Sequence, residues 1–101
     1  MSAAFKKLNP LLHSELRLAI MALLMELEEA DFSYIKEKTE ATSGNLSIQF
    51  DKLAEAGYIR IEKGFAGKKP KTTYSITPAG IEAMQEYVDA LKSYLIIPHE
   101  Q

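Results

Sequence analysis

Three features of the sequence predict a mainly α-helical domain that carries one small β-hairpin. Apolar residues recur at the helical period through the first half of the chain and again near its end. After Gly57 the period shortens to that of a strand, with two alternating runs. Between those runs lies a polar stretch with two glycines, a proline and three lysines. At 101 residues the chain is expected to form one domain over 1–101, with room for one modest core.

The first helix is expected over 11–27. Asn9 followed by Pro10 is a cap and first-turn signal, and Ser14 offers a second cap at a bend near His13. Leu16, Ile20, Leu23, Leu24 and Leu27 form one face, while Leu18, Met21, Ala22 and Met25 fill much of the other. A helix apolar on both sides calls for burial on both sides, so its second face should meet another helix or a second subunit. Asp31 and Ser33 are candidate caps for a short helix over 34–40, with Ile35 turned inward. Ala41 and Thr42 form a turn, and Ser43 is the expected cap of a helix over about 43–56 that Gly57 stops in the left-handed region. Leu46, Phe50 and Leu53 make its buried stripe, leaving Asn45, Ser47, Ile48, Gln49 and Lys52 outside. Two short helices joined by a tight turn, the second with a polar outer face, make a helix-turn-helix.

Beyond it, Ile59 and Ile61 alternate with Arg60 and Glu62, and Tyr74 and Ile76 with Thr73 and Ser75. These are the strands of a wing over about 58–76, with 64–71 as the connecting loop and Phe65 folded back on the hairpin as a tip anchor. Thr77 and Pro78 open a last helix over about 78–95, with the stripe Ile81, Met84, Val88, Leu91 and Leu95, ended by Pro98. The order of elements is that of a winged helix-turn-helix with an extra C-terminal helix.

A net charge of −2 argues by itself against a nucleic-acid partner, but its distribution argues the other way. Arg60, Lys63, Lys68, Lys69 and Lys71 are opposed by Glu62 alone, so 60–71 carries +4 and the remainder −6. No run approaches the ~20 apolar residues that a bilayer requires. The first ten residues lack the pattern of a secretory signal. With no cysteine, disulfides and thiolate metal sites are excluded. The cytoplasm is the expected location.

The runs Ser43-Gly44-Asn45-Leu46-Ser47, Leu53-Ala54-Glu55-Ala56-Gly57-Tyr58-Ile59 and Lys69-Pro70-Lys71-Thr72-Thr73-Tyr74-Ser75-Ile76-Thr77-Pro78-Ala79-Gly80 together resemble the short winged-helix regulators related to the MarR type. The resemblance extends from about residue 11 to residue 91. It implies a homodimeric, cytoplasmic transcription factor. Ile48 departs from that pattern, where the residue is usually basic or polar. It cannot neutralise a phosphate; it would either meet a thymine methyl or pack inward.

The expected DNA-binding residues are Ser43, Asn45, Ser47, Ile48, Gln49 and Lys52 on the helix, with Lys63, Lys68, Lys69 and Lys71 on the wing. Asn45 and Gln49 can pair with adenine, and the serines and helix N-terminus suit phosphate. The lysines are expected along the DNA backbone or in the adjacent minor groove. A dimer seam is expected from Leu18, Met21 and Met25 with Met84, Val88, Leu91 and Leu95, beside Tyr87 and Tyr94.

Catalysis finds little support. His13, at a helix start, and His99, in the tail, have no ligand spacing, and Glu26, Glu28 and Glu29 read as a solvated run. Gly64 and Gly67 sit in the wing, not in a phosphate loop between a strand and a helix. No cofactor or metal is expected, and a small-molecule effector would need a dimer interface or groove. The rival reading is a protein–protein interaction module on the same fold, favoured by the overall acidity and Ile48. RNA is disfavoured because no stacking aromatics line a strand face.

Overall fold

The computed structural model describes residues 4–95. Their order is α1 (Glu15–Leu27), β1 (Glu29–Asp31), α2 (Phe32–Thr39), α3 (Ser43–Glu55), β2 (Ile59–Ala66), β3 (Lys69–Ile76) and α4 (Pro78–Lys92). This is a winged helix with a C-terminal helix, as expected, but it contains a strand that the sequence pattern did not announce.

The first helix starts later than expected. The Asn9 side chain accepts from the Leu11 N–H at 2.9 Å and its carbonyl accepts from the His13 N–H at 2.9 Å, closing a separate turn. Ser14 is the actual N-cap, accepting from the Arg17 N–H. Ile20, Met21 and Leu24 are fully buried, whereas Leu27 stands partly in solvent. Asp31 caps α2 as expected, accepting from the Tyr34 N–H at 2.8 Å. The cap of α3 is Thr42 instead of Ser43: its hydroxyl accepts from the Asn45 N–H at 3.2 Å. Gly57, at φ 83°, then turns the chain out of the helix.

The sheet is antiparallel in the order β1-β3-β2. Leu46, Phe50 and Leu53 of α3 are buried in the core between the helices and the sheet, and Phe50 stacks on Tyr74 of β3 with ring centroids 3.8 Å apart. Phe32 meets Phe50 edge-on at 5.9 Å. The expected loop 64–71 is mostly strand. β2 and β3 stay paired out to Ala66 and Lys69, so the turn is Gly67-Lys68 alone. Gly67 has φ 67°, the positive first position that a type II′ hairpin turn requires. The pair that closes such a turn exchanges hydrogen bonds, which makes the next pair, Phe65 with Pro70, a non-bonded one. Pro70 therefore lacks an N–H where none is needed, on an edge beyond the reach of β1.

Thr77 caps α4, with Pro78 at its first turn. The helix ends at Lys92, short of the expected 95, with Ser93 as C-cap. The N-terminal segment runs along this end: Phe5 stacks on Tyr94 at 5.0 Å, and the Tyr94 hydroxyl donates to the Lys6 carbonyl at 2.7 Å. Lys6 pairs with Asp89 at 2.6 Å, which holds the Asp89 carboxyl below its ordinary value. Both partners are exposed, so the pair adds little stability. Pro98 and His99 lie outside the described residues.

Candidate nucleic-acid interface

With Leu46, Phe50 and Leu53 fixing the inner face of α3, the helical period assigns the outer face. Gly44, Ile48, Asp51 and Glu55 run down its centre, flanked by Asn45 and Lys52 on one side and Ser47 on the other; all are exposed. Ile48 is 55% exposed, so it points outward instead of packing inward. A Cβ on Gly44 would meet nothing within 4 Å, so no contact inside the chain explains a glycine there.

Gln49 is held from behind. Arg17 of α1, half-buried, donates through Nε to the Leu11 carbonyl and through Nη1 to Gln49 Oε1. Gln49 Nε2 then donates to Asn45 Oδ1 at 2.8 Å. A guanidinium can only donate, so Arg17 dictates which way the Gln49 amide faces. This changes the expectation that both amides read bases. Gln49 has its oxygen and one N–H engaged, whereas Asn45 keeps its amide N–H groups and one oxygen lone pair free. Arg17 carries no recognition signal in the sequence, because it lies one helix away and reads as a surface cation.

Register divides the wing into two faces. Directly paired residues share a face and successive ones alternate. Ile59 with Ile76, and Ile61 with Tyr74, form the face turned to the core, so Lys63 with Thr72 and Phe65 with Pro70 continue it outward. Ser47 and Asp51 of α3 share a cleft with Lys63 and Thr72. Lys71 and Lys69 take the opposite face, across from Gly64 and Ala66, and Lys68 sits at the turn. The lysines are thus not one strip. Phe65 is 75% exposed, which overturns the expectation of an anchor folded back on the hairpin. Asp51 is an acid missed in that cleft; burial raises the Tyr74 hydroxyl above its ordinary pKa, and Asp51 adds to the rise.

The expected dimer residues separate. Met21 and Met84 lie in their own chain's core, as does Tyr87, whose hydroxyl is 3.0 Å from His13 Nδ1. Met21 is fully enclosed, whereas Met84 lines a groove together with Met25 and Val88. Leu18 and Leu91 are half-buried. Met25, Val88 and Leu95 are exposed, the last two at 45% and 57%. Ile81, also exposed, lies two turns before Val88 on α4, and Leu95 stands past the end of that helix. Among the described residues no helix is long and apolar enough to cross a membrane, and no cluster of three or more His, Cys, Asp or Glu side chains could hold a metal.

Residues 16–95 match the family described as a winged helix DNA-binding domain. An uncharacterized protein of Methanocaldococcus jannaschii is 38% identical over 76 residues, covering 75% of this chain and 83% of that one. The structure of a transcriptional regulator homologue from Pyrococcus horikoshii OT3 superposes with a TM-score of 0.81 at 30% identity, covering 86% of each chain. AbsC, a MarR family transcriptional regulator from Streptomyces coelicolor, shares the fold at 20% identity, with a TM-score of 0.70 over 88% of this chain and 66% of its own.

Proposed function

The chain belongs to the winged helix DNA-binding domain family, and from that premise we propose that it is a sequence-specific regulator that binds double-stranded DNA as a homodimer. It works in the cytoplasm and carries no enzymatic activity. The observation that supports this most is the wing, which bears +4 on a chain whose remainder is −6 and presents lysines on both faces. A minor groove about 6 Å wide has a phosphate wall on either side. A hairpin entering tip first has Lys63 toward one wall, Lys69 and Lys71 toward the other, and Lys68 ahead. The first turns of α3 then meet the major groove through Ser43, Asn45, Ser47 and Ile48, with Lys52 toward the backbone. Ile48 suits a thymine methyl. The exposed Ile81 and Val88 of α4, with Met25 of α1 and Leu95 just past the end of α4, form the apolar surface for a second copy. Two such chains would read half-sites about 34 Å apart.

The test is selection of bound duplexes from a random DNA pool, followed by titration across a salt series. Enrichment of a two-fold symmetric site is expected, with log affinity falling against log salt by about 0.9 per neutralised phosphate. No binding at low salt would refute the reading.

Gly44 supplies an independent check. Alanine there should stabilise the fold by up to about 1 kcal/mol, because glycine is a poor helix former. The same methyl group, on the face turned to the groove, should weaken duplex binding. A melting temperature that rises while affinity falls is the expected pair of results. Unchanged affinity would move the contact surface off the centre of α3.

A further inference from the structure

Arg17 is half-buried on α1, yet it reaches the pair of amide side chains on α3 that could read a base. We infer that Arg17 is a positioning residue for base recognition, acting through Gln49 to orient Asn45; this rests on the DNA-binding reading above. Its two observed hydrogen bonds fix it at both ends. Nε is tied to the Leu11 carbonyl in the turn before α1, and Nη1 to Gln49 Oε1. No carboxylate pairs with it among the described residues, so its fork serves two uncharged acceptors.

The direction of the chain of bonds follows from donor chemistry. Because Arg17 has no acceptor, Gln49 must offer its oxygen backward and its NH2 forward. Because that NH2 donates to Asn45 Oδ1 at 2.8 Å, the Asn45 amide is turned so that its own NH2 faces away from Gln49. Asn45 is exposed in the first turn of α3 and retains one donor and one acceptor for a bidentate pair with adenine. Without Arg17 the Gln49 amide is free to reverse, Asn45 reverses with it, and the helix presents a mixture of donor and acceptor patterns. Lysine cannot substitute, since one ammonium on a flexible stem lacks the planar fork that spans both acceptors.

The experiment takes the site selected by the parent protein and compares it with versions altered at single base pairs. Arg17→Ala, Arg17→Lys and Gln49→Glu are measured beside the parent, with thermal melting as a check of folding. For Arg17→Ala and Arg17→Lys, preference at one base pair per half-site should fall by about tenfold, within the range of a bidentate contact. Affinity for unrelated duplex at low salt should stay within about threefold. Gln49→Glu keeps the bond to Arg17 but cannot donate to Asn45, so the preferred base at that pair should change. Folded variants with the parent's base preferences would overturn the inference, as would an affinity loss equal at all sites. A parent protein that selects no sequence would instead overturn the DNA reading, and this inference with it.

Discussion

Changing Lys68, Lys69 and Lys71 together to Glu is expected to abolish duplex binding at physiological salt while leaving the fold in place. All three side chains are exposed, on the wing's far face and its turn, and none joins the core. Substitutions of that kind change stability by about 0.5 kcal/mol or less. The effect on DNA is far larger. At about 0.15 M salt, each lost phosphate contact removes roughly 0.7 of a decade in affinity, from the slope of about −0.9 per contact. Three contacts on each of two chains amount to a loss on the order of 10⁴-fold, before any repulsion from the new carboxylates. Fluorescence anisotropy with a labelled duplex, alongside circular dichroism, reads both quantities. A variant that binds within threefold of the parent would move the anion-binding surface off the wing. A parent with no DNA affinity, and a protein complex that survives the reversal, would favour the interaction-module reading, for which exposed Ile48, Asp51 and Phe65 would be the contacts.

The second large effect concerns stability. Gly80→Ala is expected to destabilise the fold by about 1–3 kcal/mol, lowering the melting temperature by on the order of 10 °C. A Cβ at position 80 would drive into the Tyr58 carbonyl and stand 2.9 Å from Ile76 Cγ1. The neighbourhood has little freedom to yield. That carbonyl already accepts from the Thr77 N–H at 3.0 Å, and the Thr77 hydroxyl donates to the Gly57 carbonyl at 2.6 Å while accepting from the Gly80 N–H at 3.0 Å. Elsewhere in a helix, alanine would gain about 1 kcal/mol over glycine. Here the collision with backbone outweighs that gain. Circular dichroism melts decide it: a variant as stable as the parent would mean that α4 can shift away from the Tyr58 carbonyl and Ile76 without loss.

Much of this architecture was legible because local chemistry and tertiary structure agree. The stripe Leu46, Phe50 and Leu53, the stop at Gly57 and the start at Thr77-Pro78 each have a local cause that the fold does not override. The failures have causes too. β1 was hidden because Glu29, Ala30 and Asp31 are poor strand formers; its partner is β3, more than forty positions away. Ser43 and Thr42 are both good caps, and only backbone geometry chooses between them. The wing's loop was overestimated because lysines, glycines and a proline read as irregular chain, whereas register puts Pro70 where it breaks no ladder bond. The sequence pattern leaves Ile48 two orientations and wrongly folds Phe65 back on the hairpin, because an apolar residue on a small domain can face either way until its neighbours are known. The Arg17 relay could not be read at all, since it joins residues 32 positions apart.

The separation of charge between wing and body also bears on how the molecule meets its target. A chain with +4 gathered on one projecting hairpin and −6 spread over the rest is an electric dipole. In the field of a polyanion it experiences a torque that swings the hairpin forward before contact, while encounters made with any other side are repelled. The expected kinetic signature is an association rate that collapses with added salt, with dissociation from a matched site much less affected.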